Sequence, residues 1–232
     1  ALNKADGKIA WQWGPSAADS YQDTYGTPAL VKAKDKTELV LAVPGEIWSF
    51  DTKKGNIAWY TYTNVGAGRG NVSPSTITGG DALYVFGGRP GSGVAVKLGG
   101  KGEVKESSQL WTSRNSPYVA TPVYHEGHLY WMDRSGYAVC LNASTGREAF
   151  RERLKSSSRT PQFYASPIVV DGKIISVSRN AGAFVLEAKP KFKQLAQNIF
   201  ESDRSVFNAS PAISNNRLFL RSDTHLYCVT DK

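Results

Sequence analysis

Thr121-Pro-Val-Tyr-His-Glu-Gly-His-Leu-Tyr-Trp-Met-Asp-Arg-Ser-Gly-Tyr-Ala-Val-Cys-Leu-Asn-Ala-Ser-Thr-Gly146 decides the fold. Pro122 to His125 reads as a strand closed by a tight turn at Glu126-Gly127. His128 to Met132 is a second strand, ended by the turn Asp133-Arg-Ser-Gly136. Tyr137 to Leu141 is a third, ended by Asn142-Ala-Ser-Thr-Gly146, and Arg147 to Leu154 is a fourth. β-Branched and aromatic runs suit a pleated, half-buried surface, and Gly, Asn and Asp supply the positive φ of short turns.

The unit recurs. Ser/Thr-Pro appears at Thr27-Pro28, Ser73-Pro74, Thr121-Pro122, Ser166-Pro167 and Ser210-Pro211, with prolines 46, 48, 45 and 44 residues apart. The fourth copy repeats the opening as Pro167-Ile-Val-Val, Asp171-Gly172 and Lys173 to Val177. The fifth reads Pro211-Ala-Ile-Ser, Asn215-Asn216 and Arg217 to Leu220. Lys191 to Phe200 is the best window for a helical apolar face, but it occupies the outer-strand slot and is read as turn plus strand. Four strands every 45 or so residues are the signature of a propeller blade, whose small sheet must pack against its neighbours.

The expected fold is therefore an all-β propeller of four-stranded antiparallel blades in a single domain over 1–232, with repeats starting near 27, 73, 121, 166 and 210. Leu2 to Trp11 matches Phe50 to Trp59, so residues 1–13 are read as the outer strand of a blade. Two arrangements satisfy this: a closed five-bladed ring completed by that strand, or part of a seven- or eight-bladed propeller.

Composition narrows the function classes. The 232 residues contain no apolar run of about 18, so no membrane span is expected, and no basic-then-apolar leader is seen. The formal net charge of +8 favours anionic partners. The two cysteines, Cys140 and Cys228, occupy matching strands of different repeats and are expected to be buried and unbonded.

The Phe50-Asp-Thr-Lys-Lys-Gly-Asn-Ile-Ala-Trp59 stretch resembles the tryptophan-docking motif of quinoprotein propellers, with looser copies at Leu2 to Trp11 and Asn142 to Phe150. Thr37 to Leu41, Leu98 to Val104, Tyr118 to Pro122 and Leu226 to Val229 are similar to the PQQ-like repeat proteins of planctomycete-type bacteria. The resemblance implies an extracytoplasmic propeller, related to the lipoprotein that helps assemble outer-membrane β-barrels and binds no quinone. It also implies docking aromatics, here Trp11, Trp59, Trp111, Phe150 and Phe200.

Catalytic constellations are weak. The quinone dehydrogenases of this resemblance use a metal, a catalytic Asp and often adjacent cysteines. Here no cysteines are adjacent and no dense Glu/Asn/Asp cluster stands out. No enzyme activity, no PQQ and no metal site are expected. His125 and His128 flank a turn and read as turn neighbours rather than zinc ligands. The glycines of Gly66 to Gly70 and Gly87 to Gly91 precede no helix and do not form a phosphate loop.

Arginines, however, keep the repeat. Arg69, Arg114, Arg159 and Arg204 recur every 45 residues in the interblade loops. Arg89, Arg134 and Arg179 recur every 45 in the turns between second and third strands, with Arg221 close to the equivalent place. Both kinds of loop open on one side of a meander. Tyr118 and Tyr164 sit in the same loops, as do Tyr25 and Phe207. A guanidinium forks onto carboxylate, sulfate or phosphate, and an aromatic ring stacks on a sugar or a side chain. The neighbouring Asp133, Asp203 and Asp223 offer the alternative of local ion pairs. Arg147, Arg151, Arg153 and Lys155 read as solvated protection of an outer strand. The resulting expectation is a non-catalytic scaffold binding a protein partner or an anionic polysaccharide through an arginine-rich face. Nucleic acid is not expected, because the basic residues form no continuous tract.

Overall fold

The described residues form five small sheets, each a run of strands consecutive or nearly so in sequence. A computed structural model describes residues 1–14, 24–33, 36–68, 70–88 and 91–230. The backbone divides into two compact units, Ala1–Asn115 and Ser116–Lys232.

In the first unit, β1 (Ala29–Ala33), β2 (Lys36–Val43), β3 (Glu46–Asp51) and β4 (Ile57–Tyr62) form an antiparallel meander. β5 (Ile77–Gly79), β6 (Ala82–Gly87), β7 (Ser92–Lys97) and β9 (Gln109–Ser113) form the next. Between β7 and β9, the short β8 (Gly102–Glu103) leaves its own sheet and pairs in parallel with β4. The first sheet is thus five-stranded, where the repeat predicts four.

The second unit holds three sheets. β10 (Val123–His125), β11 (His128–Met132), β12 (Tyr137–Asn142) and β13 (Glu148–Arg153) form one. β14 (Ile168–Val170), β15 (Lys173–Val177), β16 (Ala183–Glu187) and β17 (Gln194–Asn198) form another, with a strand rather than a helix in the outer slot. The last has three strands, β18 (Ala212–Ser214), β19 (Arg217–Arg221) and β20 (Leu226–Val229).

The turns explain the register. Glu126-Gly127, Asp171-Gly172 and Asn215-Asn216 have both residues at positive φ, the conformation whose twist matches two antiparallel strands. Each four-stranded meander also slips by one residue at the same place, between Ser49 and Phe50, Ala95 and Val96, Cys140 and Leu141, and Val185 and Leu186. Such bulges bend the strand and increase its twist.

Consecutive sheets within a unit pack face to face. In the first, Val40, Ile47 and Trp59 meet Leu83, Val85 and Val94. In the second, Tyr130, Met132 and Phe150 meet Phe163, Phe184 and Leu186. A further cluster joins Val177 and Ala183 to Phe207 and Leu220.

Two families of hydrogen bonds fix the sheets in this stack. The first involves the Ser/Thr-Pro dipeptide. The Thr121 N–H donates to Ser166 Oγ at 2.9 Å, and the Ser166 N–H donates to Ser210 Oγ at 2.9 Å. In the first unit the Thr27 N–H donates to Ser75 Oγ at 3.0 Å, one residue past the proline. The second family is backbone only and keeps an offset of 17 residues. Gly88 N–H donates to Asn71 O, Arg179 N–H to Gln162 O and Asp223 N–H to Val206 O, at 3.0, 2.8 and 3.0 Å. These bonds tie three of the turns between second and third strands to the loop that enters their sheet.

The N-terminal segment differs from its sequence reading as an outer strand. It repeats the turn but not the strand. Asn3 N–H donates to Lys8 O and Gly7 N–H to Asn3 O, as Asp51, Gly55 and Asn56 do in the first sheet, and as Asn142, Gly146 and Arg147 do later. Its β contact is an isolated bridge between Leu2 and Ile9.

The cysteines also differ. Cys140 is buried beside Tyr130, and burial pushes its thiol up to about 12. Cys228 is exposed, because β20 is the outermost strand of its sheet and no fourth strand covers it among the described residues.

Ser166 both donates to and accepts from a neighbouring repeat. Ser166→Ala leaves the Thr121 amide without its acceptor, and should lower the unfolding free energy by about 1–2 kcal/mol. Ser166→Thr, which keeps the hydroxyl, should lose less. Urea unfolding of the two variants beside wild type measures this.

Candidate functional site

The second unit builds its arginine turns from short polar residues. In the β11–β12 turn, Asp133 Oδ1 accepts the N–H groups of Ser135 and Tyr137 at 2.8 and 3.1 Å. Its other oxygen accepts from Arg151 Nη2 at 2.6 Å. Asp133 is buried and fully engaged, so it is not a partner for its neighbour Arg134. The β15–β16 turn uses Ser178 and Asn180. Ser178 Oγ donates to Asn180 Oδ1 at 3.0 Å, and the Gln162 N–H reaches the same oxygen at 3.1 Å.

Held this way, the two turn arginines lie over the tyrosines of the preceding loops. Arg134 Cζ is 5.2 Å from the centre of the Tyr118 ring, and Arg179 Cζ is 4.4 Å from that of Tyr164. The two rings meet edge to face at 6.0 Å. Arg134, Tyr118, Tyr164 and Arg179 therefore form one continuous ladder. Such contacts contribute about 0.5–2 kcal/mol each according to exposure, and they orient the guanidinium. Arg179 is further fixed by Nε donating to Asn208 Oδ1 at 2.8 Å and Nη1 to Gln162 Oε1 at 3.4 Å. Tyr118 holds a positive φ of 78°, an uncommon conformation for a residue with a side chain. Strain of this kind concentrates at functional sites.

The alternative of local ion pairs is not realised at these positions. Asp203 is spent in the same way as Asp133. Its carboxylate accepts Ser205 Oγ at 2.6 Å and the Tyr227 hydroxyl at 2.7 Å, with His225 Nδ1 at 3.4 Å. Among the described residues, Arg134, Arg179 and Arg204 form no ion pair. The ladder stops at the next repeat, because the 17-residue clamp that holds Arg179 holds Asp223 there.

The other sequence-derived positions are more scattered. Arg159 is exposed, and its carbonyl accepts from Arg153 Nη2 at 2.9 Å. Arg204 is exposed and, with Arg179, lines a cavity of about 480 Å³. Arg114 is exposed just after β9 in the first unit. Arg69 and Arg89 lie outside the described residues. Arg221 falls in β19 rather than in a turn. Phe207, grouped with the loop aromatics in sequence, is buried. The outer-strand arginines are not merely solvated, since Arg151 pairs with Asp133 and both Arg151 and Arg153 stack on Tyr137. Sequence reasoning missed Gln162 and Asn208. Their one available signal was their place in the interblade loops beside Tyr164 and Phe207.

Among the aromatics read as docking residues, Trp11, Trp59, Phe150 and Phe200 contact the following repeat. Trp11 lies over Gly55, with ring atoms 2.5–2.9 Å from where a β-carbon would stand, and its Nε1 donates to Thr52 O at 2.9 Å. Trp59 lies over Gly100 in the same way, with Cγ at 3.0 Å from that point, so neither turn accepts a larger residue. Phe150 meets Phe192 at 5.7 Å, and Phe200 meets Tyr227 at 4.7 Å. Trp111 stacks on Tyr84 of its own sheet at 5.9 Å.

A family model described as the outer membrane protein assembly factor BamB matches residues 1–107 and 100–190. No curated protein matches in sequence. Among solved structures, BamB from Moraxella catarrhalis superposes with a TM-score of 0.68 at 14% identity, covering 95% of this chain and 62% of that one. The quinohemoprotein alcohol dehydrogenase from Comamonas testosteroni gives 0.60 at 12% identity, covering 85% and 40%. The computationally designed Ika8 protein gives 0.54 at 10%, covering 83% and 54%. At these identities the likeness is one of fold, and the chain spans less than two thirds of each of these structures.

Asp203 gives the site unit a pH dependence of known sign. The Ser205 hydroxyl, then Ser222, hold its carboxyl well below the ordinary value of 3.8, against the desolvation of burial. A carboxylate depressed in the folded state stabilises it fully above its unfolded value and loses that contribution as pH falls below it. The urea midpoint should therefore drop on acidification below about pH 4. Asp203→Asn should be less stable than wild type at pH 6 and approach it at pH 3.

Proposed function

The chain belongs to the family of the outer membrane protein assembly factor BamB, and on that premise we propose that it is a non-enzymatic, extracytoplasmic propeller scaffold. It holds a protein partner through the loop face that carries Arg134, Tyr118, Tyr164 and Arg179. The observation that supports this reading is the ladder itself. Two arginines are stacked on two tyrosines, and the carboxylates adjacent in sequence to Arg134 and Arg204, Asp133 and Asp203, are engaged elsewhere. Tyrosine and arginine are the residue types that most often dominate partner-binding energy, because they bring contact area and directed hydrogen bonds with little freedom left to lose.

A quinone held with its metal is the reading that the alcohol dehydrogenase neighbours suggest. Among the described residues no three His, Cys, Asp or Glu side chains gather to hold a metal. The helices of the described residues include none long and apolar enough to cross a membrane.

The test is affinity capture from a membrane extract of the source cells. Wild type is compared with Arg134→Gln/Arg179→Gln and with Arg147→Ala as a control outside the ladder. A specific partner should be recovered with wild type and the control, and at least about tenfold less with the ladder variant, the loss expected for central arginine anchors. Equal recovery by all three would sink the reading. Salt-sensitive binding of polygalacturonate or heparin, lost in the ladder variant and without any protein partner, would replace it with anionic polysaccharide recognition.

A further inference from the structure

The cavity beside the ladder has the chemistry of a specificity pocket. Its volume of about 480 Å³ falls within the range of small-ligand sites, about 300–1,000 Å³. Arg179 and Arg204 line it together with Asn180, Ser205 and the apolar pair Ile199 and Phe200. Ile199 is 50% exposed, which leaves an apolar surface beside two cations. Arg179 is preorganised by Asn208, Gln162 and Tyr164, and its Nη2 has no hydrogen bond among the described residues.

The acids of the lining set the charge of the occupant. Asp203 belongs to it, but its carboxylate is already bonded to Ser205 and Tyr227. Glu201, exposed, also lines the cavity and forms no ion pair among the described residues. Arg179 and Arg204 thus share the lining with Glu201 and with Asp203, whose charge is already met by hydrogen-bond donors. With two guanidinium groups against one carboxylate that has no such partners among the described residues, the lining favours an occupant of one negative charge.

We propose that this cavity takes one acidic side chain, flanked by an apolar residue, from an extended peptide segment. The carboxylate is held by Arg179 and Arg204, and the apolar neighbour lies on Ile199 and Phe200. This rests on the scaffold reading and names what the scaffold recognises.

The test is a titration of the ¹⁵N-labelled protein with acetyl-Leu-Asp-Leu-amide, acetyl-Leu-Asn-Leu-amide and potassium sulfate. The Asp peptide should saturably shift the amides of Asn180, Gly182 and Ser205. The Asn peptide should bind at least about tenfold more weakly, the loss expected when a charge-assisted pair becomes neutral. Arg204→Gln should weaken the Asp peptide about tenfold and Arg134→Gln less than about twofold, because Arg204 lines the cavity and Arg134 does not. Equal binding of the two peptides, sulfate producing the same shifts with the same affinity, or shifts confined to other residues would each overturn the proposal. The two readings fail separately. Peptide binding without ladder-dependent capture leaves the cavity standing and removes the scaffold partner. Ladder-dependent capture without peptide binding does the reverse.

Discussion

The hydrogen bond from a Ser or Thr amide to the serine hydroxyl of the next repeat is the constraint on which the second unit depends. It joins Thr121 to Ser166 and Ser166 to Ser210. A short side chain with a hydroxyl is needed at that point, and the proline that follows has a fixed φ and no amide of its own to satisfy. With the start of each inner strand tied to its neighbour, the sheets can only pack face to face. The apolar faces of Tyr130 and Phe184, and then of Val177 and Leu220, are buried as a result. The first unit meets the same need two residues later, at Ser75 rather than Ser73.

The loop face follows from that stacking. Once inner strands are aligned, three of the turns between second and third strands are closed against the loop that enters their sheet by a backbone bond across 17 residues, from Gly88, Arg179 and Asp223. Arg179 makes this bond with its amide, so its side chain starts from a fixed point and reaches Tyr164 at 4.4 Å. The clamp needs only backbone atoms and is indifferent to the side chain it carries. It presents glycine at 88, arginine at 179 and aspartate at 223. The scaffold and the chemistry of its face can therefore vary independently, as is common where sites are grafted on a shared fold.

The strands and turns were legible in the sequence because they are local. The segments His128–Met132 and Lys173–Val177 were delimited by the turns on either side, and those turns have the positive φ their residues suggest. Register between arginines was legible too, since the repeat fixes it. Partner choice was not. Asp133 is adjacent to Arg134 in sequence but pairs with Arg151, 18 residues away. Its side chain turns back to cap its own turn, while the antiparallel pairing of β12 with β13 brings Arg151 to it across the sheet. The same non-local pairing sets exposure. Cys140 and Cys228 occupy matching strands, yet only Cys140 has a fourth strand beside it. The N-terminal stretch shows the limit from the other side. Its turn forms from its own residues, but a strand needs a partner that no local pattern supplies.

Periodicity alone does not separate a functional arginine from one inherited with the repeat. Three features of the ladder support the functional reading proposed for it. An inherited, solvated arginine needs no orienting partners, whereas Arg179 is held by two side-chain amides and a ring. A tyrosine kept only for packing would adopt ordinary backbone angles, whereas Tyr118 sits at a φ of 78° while its ring stands between Arg134 and Tyr164. Finally, a carboxylate one residue away is the cheapest neutraliser for an arginine in a turn, yet Asp133 is drawn off by the turn and by Arg151. The fold thus spends a buried aspartate on holding the turn and leaves Arg134 on the surface without an ion-pair partner among the described residues. Charge left exposed in a fixed geometry is poorly explained by stability, because surface ion pairs contribute little and unpaired surface charges contribute less. The proposed partner would supply the missing carboxylate.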